Sequence, residues 1–149
     1  MTDVALNWLE EAFAADLGLV NADLAVDQGL RTALIVSLFT DRRAQADDVL
    51  PEPGADPRGW WGDVAAERPG DRIGSRLWLL AREKQRPQVL ARAREYAREA
   101  TAWLVEDRVA SAVEVEAEFV ASGVLGLKVA VVRPDGPARE QFDFIWSAV

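Results

Sequence analysis

The sequence predicts an α+β domain of two layers, with three helices packed on a small C-terminal antiparallel β-meander, and three observations lead to it. Leu90, Ala93, Ala97, Ala100 and Leu104 recur at the 3-4-3-4 spacing of an amphipathic helix. From Val109 the apolar period switches to two. Between the first helix and the second, residues 40–73 lose periodicity in a long connection rich in Gly, Pro and Trp. Helices followed by strands, rather than alternating with them, define the class. At 149 residues the chain is expected to form one domain. It is read as an N-terminal strand pair over 1–26, a helical part over 27–104 that contains the loop 40–73, and a hairpin or meander over 105–149.

Each element has its own signal. Val4, Leu6 and Trp8, then Ala15, Leu17 and Leu19, alternate on either side of Glu10 and Glu11 and suggest a strand pair, although Leu9 to Ala15 would also suit a helical turn. Asp27 is read as a helix N-cap, its carboxylate accepting from free N–H groups of the next turn. Behind it Leu30, Ala33, Leu34, Ser37 and Leu38 fit a first helix, despite the strand character of Ile35-Val36. Ser75 is read as the N-cap of a second helix from Arg76 to Lys84, and Pro87 as the first turn of the third, where its missing N–H costs nothing. Val113, Val115, Ala117 and Phe119 alternate with Glu114, Glu116 and Glu118, and Leu125, Leu127, Val129 and Val131 follow after a turn at Ser122-Gly123. Pro134-Asp135-Gly136 is read as the next turn and Gln141 to Trp146 as a last strand.

Composition excludes whole classes of chemistry. The chain has no Cys and no His, so thiolate or imidazole zinc sites, disulfides, Cys nucleophiles and His-based triads are ruled out. No apolar run approaches the roughly 20 residues of a membrane helix. Met1 to Asp3 lacks a basic segment leading into an apolar one, so no secretory signal is expected. The net charge is −8, and all of it falls in residues 1–74, where 6 Arg stand against 14 acids. That balance argues against duplex DNA as a partner, because phosphate neutralisation needs a basic face. From Arg76 to Arg98, however, seven cations stand against Glu83 and Glu95. This polarity suits oriented docking on charged partners.

The candidate functional residues are contact residues. Trp60 and Trp61, between Gly59 and Gly62, would be wasted in a solvated tether and are expected to pack on the domain or on a partner. Trp78 and Trp103 suit the core. Arg76, Arg82 and Lys84 belong to the basic stretch, whose commoner role is a solvated helix face and whose functional role is carboxylate pairing across an interface. Glu114, Glu116 and Glu118 form a row that serves equally as a solvent face guarding against aggregation or as the flank of a sheet edge awaiting a strand. Gly54, Gly59 and Gly62 have neither Rossmann nor P-loop spacing, so no nucleotide or other cofactor is expected.

Three strings then occur in order: Leu38-Phe39-Thr40-Asp41-Arg42-Arg43-Ala44, Arg58-Gly59-Trp60-Trp61-Gly62-Asp63, and Gly74-Ser75-Arg76-Leu77-Trp78-Leu79-Leu80 with Arg82 and Lys84. They resemble the signature of the Mu-like phage baseplate protein family, and the likeness runs from about Asp3 to Phe144. That family is similar to the small, lysozyme-like wedge proteins of contractile tails and type VI secretion. The resemblance implies a non-enzymatic subunit of a contractile tail baseplate that joins wedge proteins near the hub and templates the first sheath ring. The implied partners are wedge, hub and sheath proteins in a six-fold assembly, with no nucleic acid and no membrane. The implied location is the host cytoplasm during assembly and then the virion tail. Wedge relatives carry Glu-Pro-Arg after the long helix; Glu106-Asp107-Arg108 stands there in this chain, and closer Mu-like relatives often have Gly in place of Arg108. Two other functions remain open at this point, a carboxylate-based peptidoglycan hydrolase using Glu106 and a small regulatory adaptor on the same fold.

Overall fold

The computed structural model describes residues 3–27, 29–135 and 139–147. Three strands form the C-terminal sheet in the order β7 (Ala112–Ala121), β8 (Val124–Val132), β9 (Arg139–Ser147), all antiparallel. The register places Glu116 opposite Lys128 and Lys128 opposite Asp143, so the polar residues share one face. Val115, Leu125, Leu127, Val129, Val131 and Phe144 are buried on the other face or between layers. This is the expected alternation, extended by one or two residues at each strand end. Of the Pro134-Asp135-Gly136 turn, Gly136 lies outside the described residues.

Helix α2 (Pro87–Thr101) packs on β7 and begins at Pro87 as expected. Its stripe faces the core: Ala93 and Ala97 are fully shielded, Ala100 and Tyr96 nearly so, and Leu104, just beyond the helix, continues the shielded stripe. Ala102 joins it to a single further turn, α3 (Trp103–Glu106). Helix α1 (Arg31–Phe39) packs between α2 and the N-terminal strands, and Leu34, Ile35 and Leu38 are buried. Burial in the core holds Ile35-Val36 helical against its strand preference.

Two helical expectations need correction. Among the described residues two α-helices are longer than a single turn, α1 and α2, because the segment expected as a helix from Arg76 to Lys84 forms a short 3-10 turn, Leu77–Leu80. All four of its residues are buried, so it is an apolar plug with no solvent face. A continuous helix is blocked at both ends, by Ser75 pairing with Asp41 as an isolated parallel bridge and by Arg82 at φ 65°. Ser75 still serves the turn, accepting from Leu77 N–H at 3.2 Å. Gly74 permits the bridge: its φ is +92°, and a Cβ there would lie 2.3 Å from the Thr40 carbonyl oxygen. Asp27 is not the N-cap of α1 either. Its backbone is already paired with Asp3, and the N-cap position is Leu30, with no side-chain cap.

The N-terminal strand pair is present, β2 (Leu6–Leu9) against β3 (Ala14–Leu17), but it is one arm of three. β4 (Leu19–Val20) pairs with β5 (Asp23–Leu24), and β1 (Asp3–Val4) with β6 (Val26–Asp27). The three two-stranded ribbons meet where backbone hydrogen bonds run in a ring: Ala5 N–H to Ala25 O at 2.8 Å, Ala25 N–H to Gly18 O at 2.7 Å, and Gly18 N–H to Ala5 O at 3.0 Å. The element is moored through β2. Trp8 stacks on Phe39 with centroids 3.9 Å apart and donates its indole N–H to Ile145 O at 2.7 Å, while Leu6 N–H donates to Thr32 Oγ1 at 3.0 Å.

The long loop is tied to the helices by one buried cation. Arg76 is 8% exposed. Its Nη1 reaches both carboxylate oxygens of Asp48, at 2.8 and 3.1 Å, its Nε reaches Glu99 Oε2 at 2.9 Å, and its guanidinium lies 4.5 Å from the Tyr96 ring centroid. Burial disfavours the cation, but the bonds and charges of Glu99 and Asp48 outweigh it, and the Arg76 pKa is raised. Arg76→Leu is expected to cost about 3 kcal/mol in denaturant unfolding, because it leaves a buried carboxylate unpaired. Arg82→Leu removes an exposed pair with Glu52 and is expected to cost less than about 1 kcal/mol. Equal losses would show that the buried network is not special.

Candidate protein interface

Fixed points hold the stretch around Trp60 and Trp61. Arg58 spans the loop base: its Nη1 pairs with Asp41 at 2.8 Å and its guanidinium lies 4.4 Å over the Trp78 ring, which is buried and donates to Arg42 O at 2.8 Å. Ala44 N–H donates to Pro57 O at 2.8 Å, and Ile73 N–H to Asp63 Oδ1 at 3.1 Å. The other Asp63 oxygen is buried without a hydrogen-bond partner among the described residues. On this base sits a short 3-10 helix, Trp61–Ala65. Trp60 folds back over Gly62, where a Cβ would fall 2.2 Å from the ring. Trp60 is 44% exposed, Trp61 82% and Val64 93%. The two indoles sit 5.4 Å apart, tilted. An apolar group this large, held by an anchored backbone and open to water, is suited to a partner's pocket.

The remaining candidates lie elsewhere, and one of them is buried. Arg76 is committed inside the fold, and Arg82 is paired with Glu52. Lys84 is exposed and makes no ion pair among the described residues. Glu106, Asp107 and Arg108 form an exposed end to α3, where Asp107 pairs with Arg68 at 3.2 Å. Glu114, Glu116 and Glu118 are exposed along β7, and Glu114 pairs with Arg139 at 2.7 Å. The sequence reading missed the Arg76 network, because Asp48 and Glu99 stand 28 and 23 residues away from it. It also missed the mooring of Trp8 on β9, whose only sequence signal was an aromatic residue in an alternating run.

Arg108 has φ 60°, the left-handed region that ends helices and favours Gly. Arg108→Gly is therefore expected to stabilise the chain by about 0.5 kcal/mol, read from the shift in thermal unfolding. Tyr96 is the one tyrosine in the sequence, so its ionisation can be read directly. Burial first and Asp48 second raise its pKa above the ordinary 10.0. The phenolate absorbance is expected to appear only above that pH. By linkage, the stability this shift supplies is intact below the unfolded-state pKa and is lost as the pH rises through the folded-state value. A titration centred at 10 or below would contradict the burial.

What these surfaces present is contact chemistry: exposed indoles, open cations and a three-stranded sheet with two edges. No group of three or more acidic side chains among the described residues is placed to hold a metal ion. The class of protein these surfaces suit is one that makes contacts with other proteins. Residues 30–138 match the family model described as Phage protein GP46. The chain is 47% identical over 136 residues to the Baseplate protein gp46 of Escherichia phage Mu, covering 91% of this chain and 90% of that one. It is 40% identical over 148 residues to the Mu-like prophage FluMu protein gp46 of Haemophilus influenzae, covering 99% of each. The chain belongs to the Mu-like phage baseplate family that the three sequence strings resemble.

Proposed function

We propose that the chain is a non-enzymatic structural component of a contractile phage tail baseplate, one domain that joins wedge proteins near the hub and templates attachment of the sheath by strand addition. The observation that carries the reading is the pairing of an anchored, exposed Trp60-Trp61 unit with a meander whose outer strands, β7 and β9, are ten and nine residues long. Strand addition needs a long edge, because each added backbone pair contributes little alone. The indoles supply the separate anchor that fixes orientation. Lys84 and the row Glu114, Glu116 and Glu118 would set the register of approach through charge, and Glu106-Asp107-Arg108 would offer a polar contact at the helix end. Arg76 and Arg82 would act at a distance, by holding the loop and its flank in place. The hydrolytic reading through Glu106 is the less favoured one, since the shallow groove beside α3 and β7 is lined by Glu106 as its single carboxylate, whereas glycoside hydrolysis uses two.

Co-expression with the neighbouring tail proteins is expected to yield a stable complex, and failure to copurify with any of them would remove the reading. Within such a complex, replacing Trp60 and Trp61 by Ala is expected to weaken binding at least tenfold while changing free-chain stability by less than about 1 kcal/mol, the range of exposed substitutions. Equal loss in both would make the pair ordinary core.

A further inference from the structure

The N-terminal ribbons carry more apolar surface than a free surface should. Leu17, Leu19, Val20 and Leu24 are 52%, 70%, 58% and 45% exposed, and Leu9 and Phe13 at the end of the first ribbon are 43% and 38% exposed. Single exposed apolar residues are ordinary, but four within eight positions are not. The register adds to this by placing Leu19 directly opposite Leu24. Two-stranded ribbons are marginal in water by themselves, and the side-chain contacts that tie these ribbons to the core, among the described residues, come from Leu6 and Trp8 of the first one.

Charge selects among the possible covers. Residues 1–30 contain six acids and no Lys or Arg. Asp16, Asp23, Glu10 and Glu11 are exposed beside the leucines. An anionic lipid surface or a nucleic acid would be repelled. A protein surface with an apolar groove rimmed by Lys and Arg satisfies both features at once. We propose that the three-ribbon element is a docking unit for such a surface on another protein of the baseplate assembly, distinct from the contacts of Trp60 and Trp61. The proposal rests on the baseplate reading above.

The test uses the copurified complex of the full chain with its tail partners. Leu19→Asp combined with Leu24→Asp is expected to weaken the complex at least tenfold, and Asp16→Asn combined with Asp23→Asn to flatten its salt dependence. Zero-length carbodiimide coupling, which joins carboxylates to amines, is expected to link Asp16 or Asp23 to a lysine of the partner. Should the aspartate variant fail to fold, the asparagine variant and the cross-links decide. A complex that forms normally with both variants, and shows no such cross-link, overturns this inference and leaves the baseplate reading standing. Cross-links to Lys84 or Lys128 of a second copy also overturn it, in favour of self-association. If no tail protein copurifies at all, both readings fall together.

Discussion

The buried guanidinium of Arg76 is the constraint on which the rest depends. A cation in a nearly dry site must be paired, and here its partners come from two directions: Asp48 from the long loop and Glu99 from α2. The Tyr96 ring packs against the guanidinium. Asp48 also accepts from Gln45 N–H at 2.7 Å, so the same carboxylate folds the loop's own turn. A long irregular segment is costly to order. This network offsets that cost at one point, and the Asp41–Arg58 pair and the Asp63–Ile73 bond extend the hold toward the indoles. The Trp60-Trp61 unit is thus presented on a fixed base without being buried.

The fold separates a rigid centre from surfaces left for contact. α1, α2, the Leu77–Leu80 plug and the inner face of the sheet form the centre, where Leu34, Leu38, Leu77, Leu80, Leu104, Leu127 and Phe144 are almost completely shielded. Around it stand the ribbons and the 3-10 helix at Trp61, which bury little of their own surface, and the polar face of the sheet. Membership of the Mu-like baseplate family fits that division, since an assembly subunit needs stability in one part and exposed contact groups in another. Its acidic beginning and basic middle fall on different elements, which is what gives a docking surface its direction.

How much of this was legible follows from where burial is one-sided. β7 and α2 each have one wet face and one dry face, so their periods of two and 3.6 were plain in Val113 to Phe119 and in Leu90 to Leu104. The Leu77–Leu80 turn is dry on every side and carries no period, so an apolar run there looked like the face of a helix. Asp27 looked like a cap because local sequence cannot show that its backbone is claimed by Asp3. The ribbon junction was hidden for the same reason: Ala5, Gly18 and Ala25 are unremarkable residues whose role is to let three backbones approach. Trp60 and Trp61 stood out because two adjacent indoles between glycines have few uses, and the structure leaves both exposed. Arg76 was the most misleading, a member of a basic run by sequence and a core residue by position.

Differential hydrogen exchange of the free chain against its tail-protein complex tests the central claim most directly. The expected result is new protection of Trp60 to Ala65, of the ribbon residues Leu17 to Leu24, and of one outer strand of the meander. Protection in α2 and β8 should be unchanged, because those elements are already closed. Protection spread evenly through the core, with the ribbons and the indole loop unaffected, would contradict the account. It would mean that partners stabilise the fold as a whole and do not engage the surfaces described.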